Sequence, residues 1–195
     1  MNQKLPKKFY LQNDVVSLAQ KLLGKVLCTH ILGNFTSGII TETEAYAGMG
    51  DRACHAYGGK KTNRNQIMYE NGGLAYVYLC YGLHHLFNVV TNQKGQADAI
   101  LIRAIIPLDG IDVIKQRRKV KTKLPPYLSG PGVVTSALGI NLGHYGKNLR
   151  GNEIWIEDRK IEIAQENIKI GPRIGIDYAG ADAKLPWRFV YNLKF

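Results

Sequence analysis

The sequence predicts an α+β fold contained in a single domain that spans residues 1–195. Most apolar runs are short, β-rich and separated by turn signals, and only three segments are predicted as helices. A chain of 195 residues, 45% of them hydrophobic, is long enough to bury one core. It shows no internal repeat, low-complexity segment or linker that would divide it, so one domain is expected.

The first predicted elements are a helix and a hairpin. Residues 15–23 carry a helical apolar stripe; Asn13 or Asp14 is suited to cap the helix and Gly24 to end it. A β-hairpin with a tight turn follows, because β-rich runs flank a Gly-Asn pair. Its strands are predicted at residues 25–32 and 35–46.

The middle of the chain combines a long loop with further strands. Residues 48–73 are polar, rich in glycine and long for a loop without structure, which predicts a functional insertion. Three β-rich runs follow, at residues 74–81, 86–92 and 99–106. Residues 107–110 read Pro-Leu-Asp-Gly and are expected to break the last strand.

A basic helix and a second group of strands complete the prediction. The helix is expected at residues 111–119, and basic residues crowd its end: Lys115, Arg117, Arg118, Lys119, Lys121 and Lys123. The segment Ser129-Gly130-Pro131-Gly132 precedes a short helix at residues 133–138. Antiparallel strands joined by tight turns are predicted at residues 153–157, 160–164, 173–176 and 187–193.

The charge balance indicates a polyanionic partner. The chain has 26 Lys and Arg against 15 Asp and Glu, a net charge of +11, and a pI near 9.6. Such a balance favours DNA, RNA or an anionic membrane surface. No apolar run approaches the ~20 residues of a membrane span, and the first residues lack the apolar core of a signal peptide. Nucleic acid inside the cell is therefore the favoured partner.

The cysteines and histidines do not predict a disulfide frame or a metal centre. Cys28, Cys54 and Cys80 are odd in number and unpaired in spacing, which is typical of reduced thiols in a cytosolic protein. His84 and His85 are adjacent, so in a strand they face opposite sides, and no third ligand has suitable spacing. No metal site is expected.

A pair of carboxylates beside an aromatic ring indicates possible chemistry. In a strand, Glu42, Glu44 and Tyr46 project from one face. Two carboxylates, a ring and a downstream histidine suggest hydrolysis of a flat substrate that stacks on aromatic rings, such as a nucleobase. A solvated strand face whose glutamates only keep the protein soluble explains the same spacing, so the spacing alone leaves both interpretations open.

Many spaced motifs, in order from about residue 7 to the C-terminus, resemble one enzyme family. They are Glu42-Thr43-Glu44-Ala45-Tyr46, His55, Arg64-Asn65, Tyr76-Val77-Tyr78, Tyr81-Gly82, Asn88, Ile102-Arg103-Ala104, Ser129-Gly130-Pro131-Gly132, Arg173-Ile174-Gly175 and Trp187-Arg188-Phe189. In these motifs the chain resembles the alkyladenine DNA glycosylases, also called the 3-methyladenine DNA glycosylase family.

The resemblance implies a fold, an activity and a partner. The fold is a single domain built on a curved, mainly antiparallel β-sheet with surrounding helices. The activity is hydrolysis of the N-glycosidic bond of alkylated or deaminated purines, without a metal or organic cofactor. The partner is double-stranded DNA containing damaged purines, and the protein is expected to be a cytoplasmic, DNA-associated monomer. No lysine is placed as a convincing Schiff-base nucleophile, which favours a monofunctional reaction over lyase activity.

Three residues match the family's catalytic positions. Glu44 matches the general base, and a carboxylate is suited to orient and deprotonate a water near the sugar C1′ carbon. Arg103, within an apolar run, needs an anion and would favour the ionised form of Glu44. The backbone carbonyl of Ile174 is implied to help hold the water. Glu42 is a rival on the same strand face that only the family match sets aside, and a purely structural ion pair is the alternative for Arg103.

The base-binding pocket is implied by four further matches. Tyr46, His55 and Tyr78 resemble the family's base-stacking set, which suits a flipped and electron-poor purine. Asn88 resembles the residue that rejects the amino group of guanine. A structural histidine and a buried asparagine that satisfies backbone groups are the alternatives, and Tyr76 is expected to lie in the core.

DNA contacts are expected outside the pocket. Tyr81 falls out of alternation with Tyr78 and matches the family's wedge, which enters the space left by the flipped nucleotide; Leu83 is expected to widen it. The predicted phosphate contacts are Arg64, Lys60 and Lys61. The sequence leaves open whether the basic residues 115–123 touch DNA or form a solvated face.

Departures from the family pattern occur at Asn63, Tyr69 and Val133, where proline, phenylalanine and lysine are expected. Loss of that lysine removes a phosphate or structural contact. Two other functions remain open from sequence: a non-catalytic binder of damaged or flipped bases, and a hydrolase that modifies RNA.

Overall fold

A ten-stranded antiparallel sheet that does not close on itself forms the centre of the structure, a computed structural model that describes residues 3–191. The strands are β1 Gln3–Lys4, β2 Val26–Ile31, β3 Asn34–Ala47, β4 Ala75–Cys80, β5 His84–Thr91, β6 Asp98–Asp109, β7 Leu128–Ser129, β8 Ile154–Asp158, β9 Ile168–Gly171 and β10 Arg188–Tyr191. The strand order is β1-β8-β2-β3-β6-β5-β4; β10 pairs with both β3 and β9, and β7 pairs with β6.

The long central strands β3 and β6 are irregular at the position of the carboxylates. Ile40 pairs with Ile105 and Glu42 with Ala104, whereas Thr43 already pairs with Ile102. One extra residue therefore lies in each strand, Thr41 in β3 and Arg103 in β6. Such bulges bend a strand and redirect a side chain, and this one turns Arg103 toward the glutamates.

In the described part of the chain, four α-helices surround the sheet: α1 Lys7–Tyr10, α2 Val15–Lys21, α3 Ile111–Arg118 and α4 Pro131–Leu138. Helices α2 and α4 pack on one face, where the main apolar core is buried. Alternation of side chains along β3 puts Ala45 in that core and its neighbours Glu44 and Tyr46 on the opposite face. The opposite face is covered by the segment between β3 and β4, so functional side chains meet there.

The α+β class and the antiparallel sheet agree with the sequence, as do the first helix and the hairpin. The side chain of Asp14 accepts a hydrogen bond from the Ser17 amide and so caps α2. The long segment at residues 48–73 contains three short 3-10 helices, Gly48–Gly50, Tyr57–Gly59 and Gln66–Tyr69.

Three predictions of local structure are wrong. Residues 107–110 do not break β6 at Pro107, because this residue lies opposite Gly38 at a register shift and the strand runs on to Asp109. Residues 160–164 leave the sheet: Lys160 has a positive φ of 58° and its amide is bonded to the side chain of Asp158.

Residues 173–176 also do not form a strand, because the Arg173 side chain and the Ile174 amide bond to carboxylates instead. The strand that pairs with β10 is β9, which precedes this segment. Of the strand predicted at residues 187–193, β10 covers Arg188–Tyr191, and residues 192–193 lie outside the described residues.

Within residues 3–191, no helix has the length and apolar character needed to cross a membrane.

Candidate active site

A cavity of about 280 Å³ opens on the sheet face that the helices leave free. Its walls come from β3, β4, β5 and β6, from the segment that follows β3, and from residues 174–178. The volume is near the lower end of the ~300–1,000 Å³ typical of small-molecule sites. It suits one flat ring system. Eight predicted site residues meet here: Tyr46, His55, Arg64, Tyr78, Tyr81, Asn88, Arg103 and Ile174.

The carboxylate of Glu44, the predicted general base, lies directly behind the cavity wall. Its side chain is fully buried. Oε2 accepts hydrogen bonds from the hydroxyl of Tyr46 at 2.9 Å and from Nη1 of Arg103 at 3.4 Å, and Oε1 accepts one from the amide of Ile174 at 2.8 Å. An ionised carboxylate accepts about four hydrogen bonds. Three donors therefore leave capacity for one more, on Oε1.

The surroundings of Glu44 act on its pKa in opposite directions. Burial raises the pKa above its ordinary value of 4.5, because a charged carboxylate is poorly solvated there. The Arg103 guanidinium, the Ile174 amide and the Tyr46 hydroxyl lower the pKa, while the charge of Glu42 raises it. The net direction is upward. Glu44 is thus a stronger base than a glutamate in water, and its three donors limit the rise in pKa because they stabilise the ionised carboxylate.

Glu42 has different partners from Glu44. Its Oε1 accepts hydrogen bonds from Nε of Arg103 at 2.9 Å and from Nε of Arg188 at 2.7 Å. Two guanidinium groups therefore engage Glu42, and it does not line the cavity. Arg103 bridges the two glutamates. Its ion pairs agree with the structural alternative and also with a role beside Glu44.

The predicted stacking residues form the cavity walls. The ring centroids of His55 and Tyr78 lie 4.9 Å apart in an edge-to-face arrangement, and Tyr46 lines the cavity above Glu44. The sequence assigned Tyr46 to stacking only, and its hydrogen bond to Glu44 was missed. The signal was present, because residues two apart in a strand share one face.

His55 is held by Tyr76, which the sequence placed in the core. Tyr76 is buried, but its hydroxyl lies 2.7 Å from Nδ1 of His55 and it also lines the cavity. Burial, with the positive charges of Arg64 and Lys60, lowers the pKa of His55 to about 4. The imidazole is therefore neutral at pH 7, and Tyr76 is a site residue that sequence reasoning missed.

Asn88 lines the cavity and also serves the backbone. Its Nδ2 donates to the carbonyl of Tyr76 at 3.2 Å, across the β4–β5 pair. The bond to Tyr76 agrees with a structural role for Asn88, and its place in the cavity wall agrees with a role toward the base.

Tyr81 and Leu83 lie in the turn between β4 and β5 and project into solvent. Tyr81 is 92% exposed, has a positive φ of 50° and lines the cavity mouth; Leu83 is 76% exposed. A second exposed aromatic at the mouth, Tyr178, was not predicted. Its hydroxyl donates to the carbonyl of Ala53 at 3.3 Å.

The predicted phosphate contacts lie in different environments. The guanidinium of Arg64 lies 4.5 Å from the ring centroid of Tyr78 and lines the cavity. Lys60 and Lys61 are exposed outside the cavity, with Nζ of Lys61 5.3 Å from the ring of Tyr69. Their roles toward DNA stay predictions.

One residue of the basic helix end, Arg117, and one departure from the family pattern, Val133, have local structural contacts. Arg117 donates to Thr36 and to the carbonyl of Ala137, so packing accounts for this member of the basic cluster. Val133 packs against the main core. Among residues 3–191, no group of three His, Cys, Asp or Glu side chains is arranged to hold a metal ion.

Comparison with known proteins identifies the family of this chain. The family model for methylpurine-DNA glycosylase matches residues 8–194. Two relatives bear the name "Putative 3-methyladenine DNA glycosylase". The Chlamydia felis protein is 50% identical over 192 residues, which cover 97% of each chain. The Bacillus thuringiensis protein is 44% identical over 195 residues, which cover 96% of this chain and 95% of the relative. The chain therefore belongs to the methylpurine-DNA glycosylase family and, with it, to the DNA N-glycosylases of DNA repair.

Proposed function

We propose that this protein is a monofunctional DNA glycosylase of base excision repair. As a monomer of one domain, it flips alkylated or deaminated purines out of duplex DNA and hydrolyses the N-glycosidic bond with a water activated by Glu44. The observation that carries the proposal is the position of Glu44: a buried carboxylate with three hydrogen-bond donors behind an aromatic cavity sized for one base.

The aromatic cavity supports recognition of a base outside the duplex. A base inside a duplex is inaccessible to a side chain at the end of such a cavity, so the nucleotide must first leave the stack. Tyr46, His55 and Tyr78 offer ring surfaces, and a cationic methylated purine gains a π contribution that a normal base lacks. The exposed Tyr81 at the cavity mouth is suited to fill the gap left in the duplex, where stacking on an aromatic ring contributes about 1–3 kcal/mol.

The bond-breaking step follows from the partners of Glu44. A water on the free lone pair of Oε1 gives up its proton to the carboxylate as its oxygen attacks C1′, and the purine departs with the bonding electrons. The carboxylate also stabilises the positive charge that develops on the sugar. The carbonyl of Ile174 is proposed as a second acceptor for this water, and Arg103 keeps Glu44 ionised.

Access to Glu44 requires a local movement. The carboxylate is fully buried, and its covering residues are Tyr46, Arg103 and Ile174. The first two lie in strands, whereas Ile174 lies in the irregular segment after β9 and is half-exposed. We propose that a small shift of Ile174 admits the water when a base occupies the cavity.

The test is release of free base from a duplex that carries a single hypoxanthine or a single methylated adenine. We expect the protein to release the base and leave an intact abasic strand, because no Schiff base forms. Retention of the lesion duplex without release would indicate a non-catalytic binder. Faster release from RNA with the same lesion than from the DNA would instead indicate an RNA-modifying hydrolase.

A further inference from the structure

A buried ion pair between Arg173 and Asp51 lies behind the cavity and has no part in the mechanism above. Both side chains are completely buried. Nη2 of Arg173 donates to Oδ1 of Asp51 at 2.9 Å, and Nη1 donates to Oδ2. Neither residue lines the cavity. A buried pair of this kind is weak evidence for stability, because desolvation offsets the attraction, so its contacts must indicate what it does.

Arg173 fixes the part of β3 that carries Glu44 and Tyr46. Its Nη1 donates to the carbonyl of Ala45 at 2.9 Å, between those two residues in the strand. The guanidinium lies 4.9 Å from the ring centroid of Tyr46 and 5.0 Å from that of Trp187. Tyr46 thus has the guanidinium beside its ring, while the ring itself lines the cavity.

Ile174, the residue after Arg173, contacts Glu44, the proposed general base. The Ile174 amide donates to Oε1 of Glu44 at 2.8 Å, and this bond lowers the pKa of Glu44. Ile174 is half-exposed and lies in no strand or helix. It directly follows Arg173, whose side chain is bonded to Asp51.

Asp51 fixes the start of the segment that carries His55. Its Oδ2 accepts a hydrogen bond from the amide of Ala47 at 3.2 Å, and its Oδ1 accepts one from the amide of Ala53 at 2.9 Å. One ion pair thus connects the end of β3, the chain segment that leads to His55, and the segment with Ile174 that contacts Glu44.

We propose that Arg173, held by Asp51, is a positioning residue that sets the Ile174 amide on Glu44 and the ring of Tyr46 against the substrate. The inference rests on the proposed function for its kinetic consequence. The structural consequence of the inference is independent of the proposed function. It is a change in the pKa of Glu44 that is measurable without DNA.

The test uses Arg173→Lys, which keeps a cation beside Asp51 but loses the planar fork that reaches two carboxylate oxygens and the Ala45 carbonyl. With the Ile174 amide released, Glu44 loses a donor that lowers its pKa. We therefore expect its pKa to rise, in a ¹³C NMR titration of glutamate-labelled protein. Single-turnover base release should fall at least tenfold at pH 6 and recover in part at pH 8.

Arg159→Lys is the matched control. Arg159 also bonds two carboxylates, Glu157 and Asp109, at 2.8 Å each, but it has no hydrogen bond to the part of β3 that carries Glu44 and Tyr46. Its replacement should leave the Glu44 titration and the pH profile unchanged. If Arg173→Lys does not fold, Asp51→Asn permits the same two measurements.

The outcomes separate the inference from the proposed function. A raised pKa of Glu44 in a protein that releases no base would support the positioning role and overturn the glycosylase mechanism. A folded variant with an unchanged Glu44 titration and an unchanged pH profile would overturn the positioning role. A uniform loss of release at all pH values, in proportion to a smaller folded fraction, would also overturn it, because that result indicates stability alone.

Discussion

The hydroxyl of Tyr46 donates a hydrogen bond to Oε2 of Glu44 across 2.9 Å. The proposed stacking residue therefore also contacts the proposed general base. The two residues are two positions apart in β3 and therefore lie on the same face of the strand. In the proposed function, one side chain therefore couples stacking of the substrate to ionisation of the carboxylate.

Replacement of Tyr46 with phenylalanine should separate these two roles. The ring keeps its stacking surface, while Glu44 loses a hydrogen bond to a charged acceptor, which contributes ~1.5–3 kcal/mol. We expect base release to slow by roughly 10- to 100-fold at acidic pH, with little change in lesion binding. Single-turnover kinetics and fluorescence anisotropy measure the two effects. Tyr78→Phe is the control, because its ring lines the same cavity without a hydrogen bond to Glu44.

Glu44→Gln and Glu42→Gln should differ strongly in activity. Loss of a general base slows release by about 10²–10⁴-fold, so Glu44→Gln should bind the lesion and release almost no base. Glu42→Gln should have a much smaller effect, because Glu42 is engaged by Arg103 and Arg188 and lies outside the cavity. The reverse order in a base-release assay would mean that Glu42 is the base.

The rate of release should depend on pH through Glu44. A base must be ionised, and the pKa of Glu44 is raised by burial above the ordinary 4.5. As pH falls, the rate of release should therefore begin to decline at a higher pH than it would if Glu44 had the ordinary pKa of a glutamate. His55 should add no second transition between pH 5 and 8, since its pKa is lowered to about 4. A transition near 6.5 that His55→Gln abolishes would contradict this assignment.

Stability should change with pH through His55. Its pKa is lower in the folded protein than the ordinary 6.5, so the unfolded chain binds the additional proton first as pH falls. The free energy of unfolding should therefore decrease between pH 6.5 and about 4. His55→Gln should remove this part of the decrease, as measured by urea denaturation across that range. An equal decrease in both proteins would show that His55 is solvated.

The sequence was sufficient for the antiparallel sheet and the hairpin, because strand alternation and turn signals are local properties. The family resemblance indicated most of the cavity residues. The sequence predicted Arg103 as the partner of Glu44, but not the bulge in the pairing of β6 with β3 or the bond from Arg103 to Glu42. It also missed the contact between Asp51 and Arg173, since 122 residues separate them and only the fold brings them together. The segment at residues 173–176 was misread as a strand because its apolar residues follow a β pattern, while its hydrogen bonds go to carboxylates.

Tyr81→Ala provides the sharpest separation of base flipping from hydrolysis. Tyr81 is 92% exposed, so its loss should leave Tyr46, His55, Tyr78 and the fold unchanged. With no side chain to fill the gap in the duplex, a lesion in a fully paired site should be captured poorly, whereas a lesion in a mismatched or unpaired site should be affected less. A fluorescent base analogue at the lesion should show reduced unstacking in Tyr81→Ala and normal unstacking in Glu44→Gln.

Leu32→Ala is a matched control for Tyr81→Ala. Leu32 is 94% exposed in the turn between β2 and β3 and has a φ of 52°, close to the 50° of Tyr81, but it does not line the cavity. Both changes remove an exposed apolar side chain from a left-handed turn position, so any effect on turn stability is shared. Only Tyr81→Ala should slow base release, and the step that it slows should precede bond cleavage. Equal losses on paired and unpaired lesions, with normal unstacking, would mean that Tyr81 does not enter the DNA.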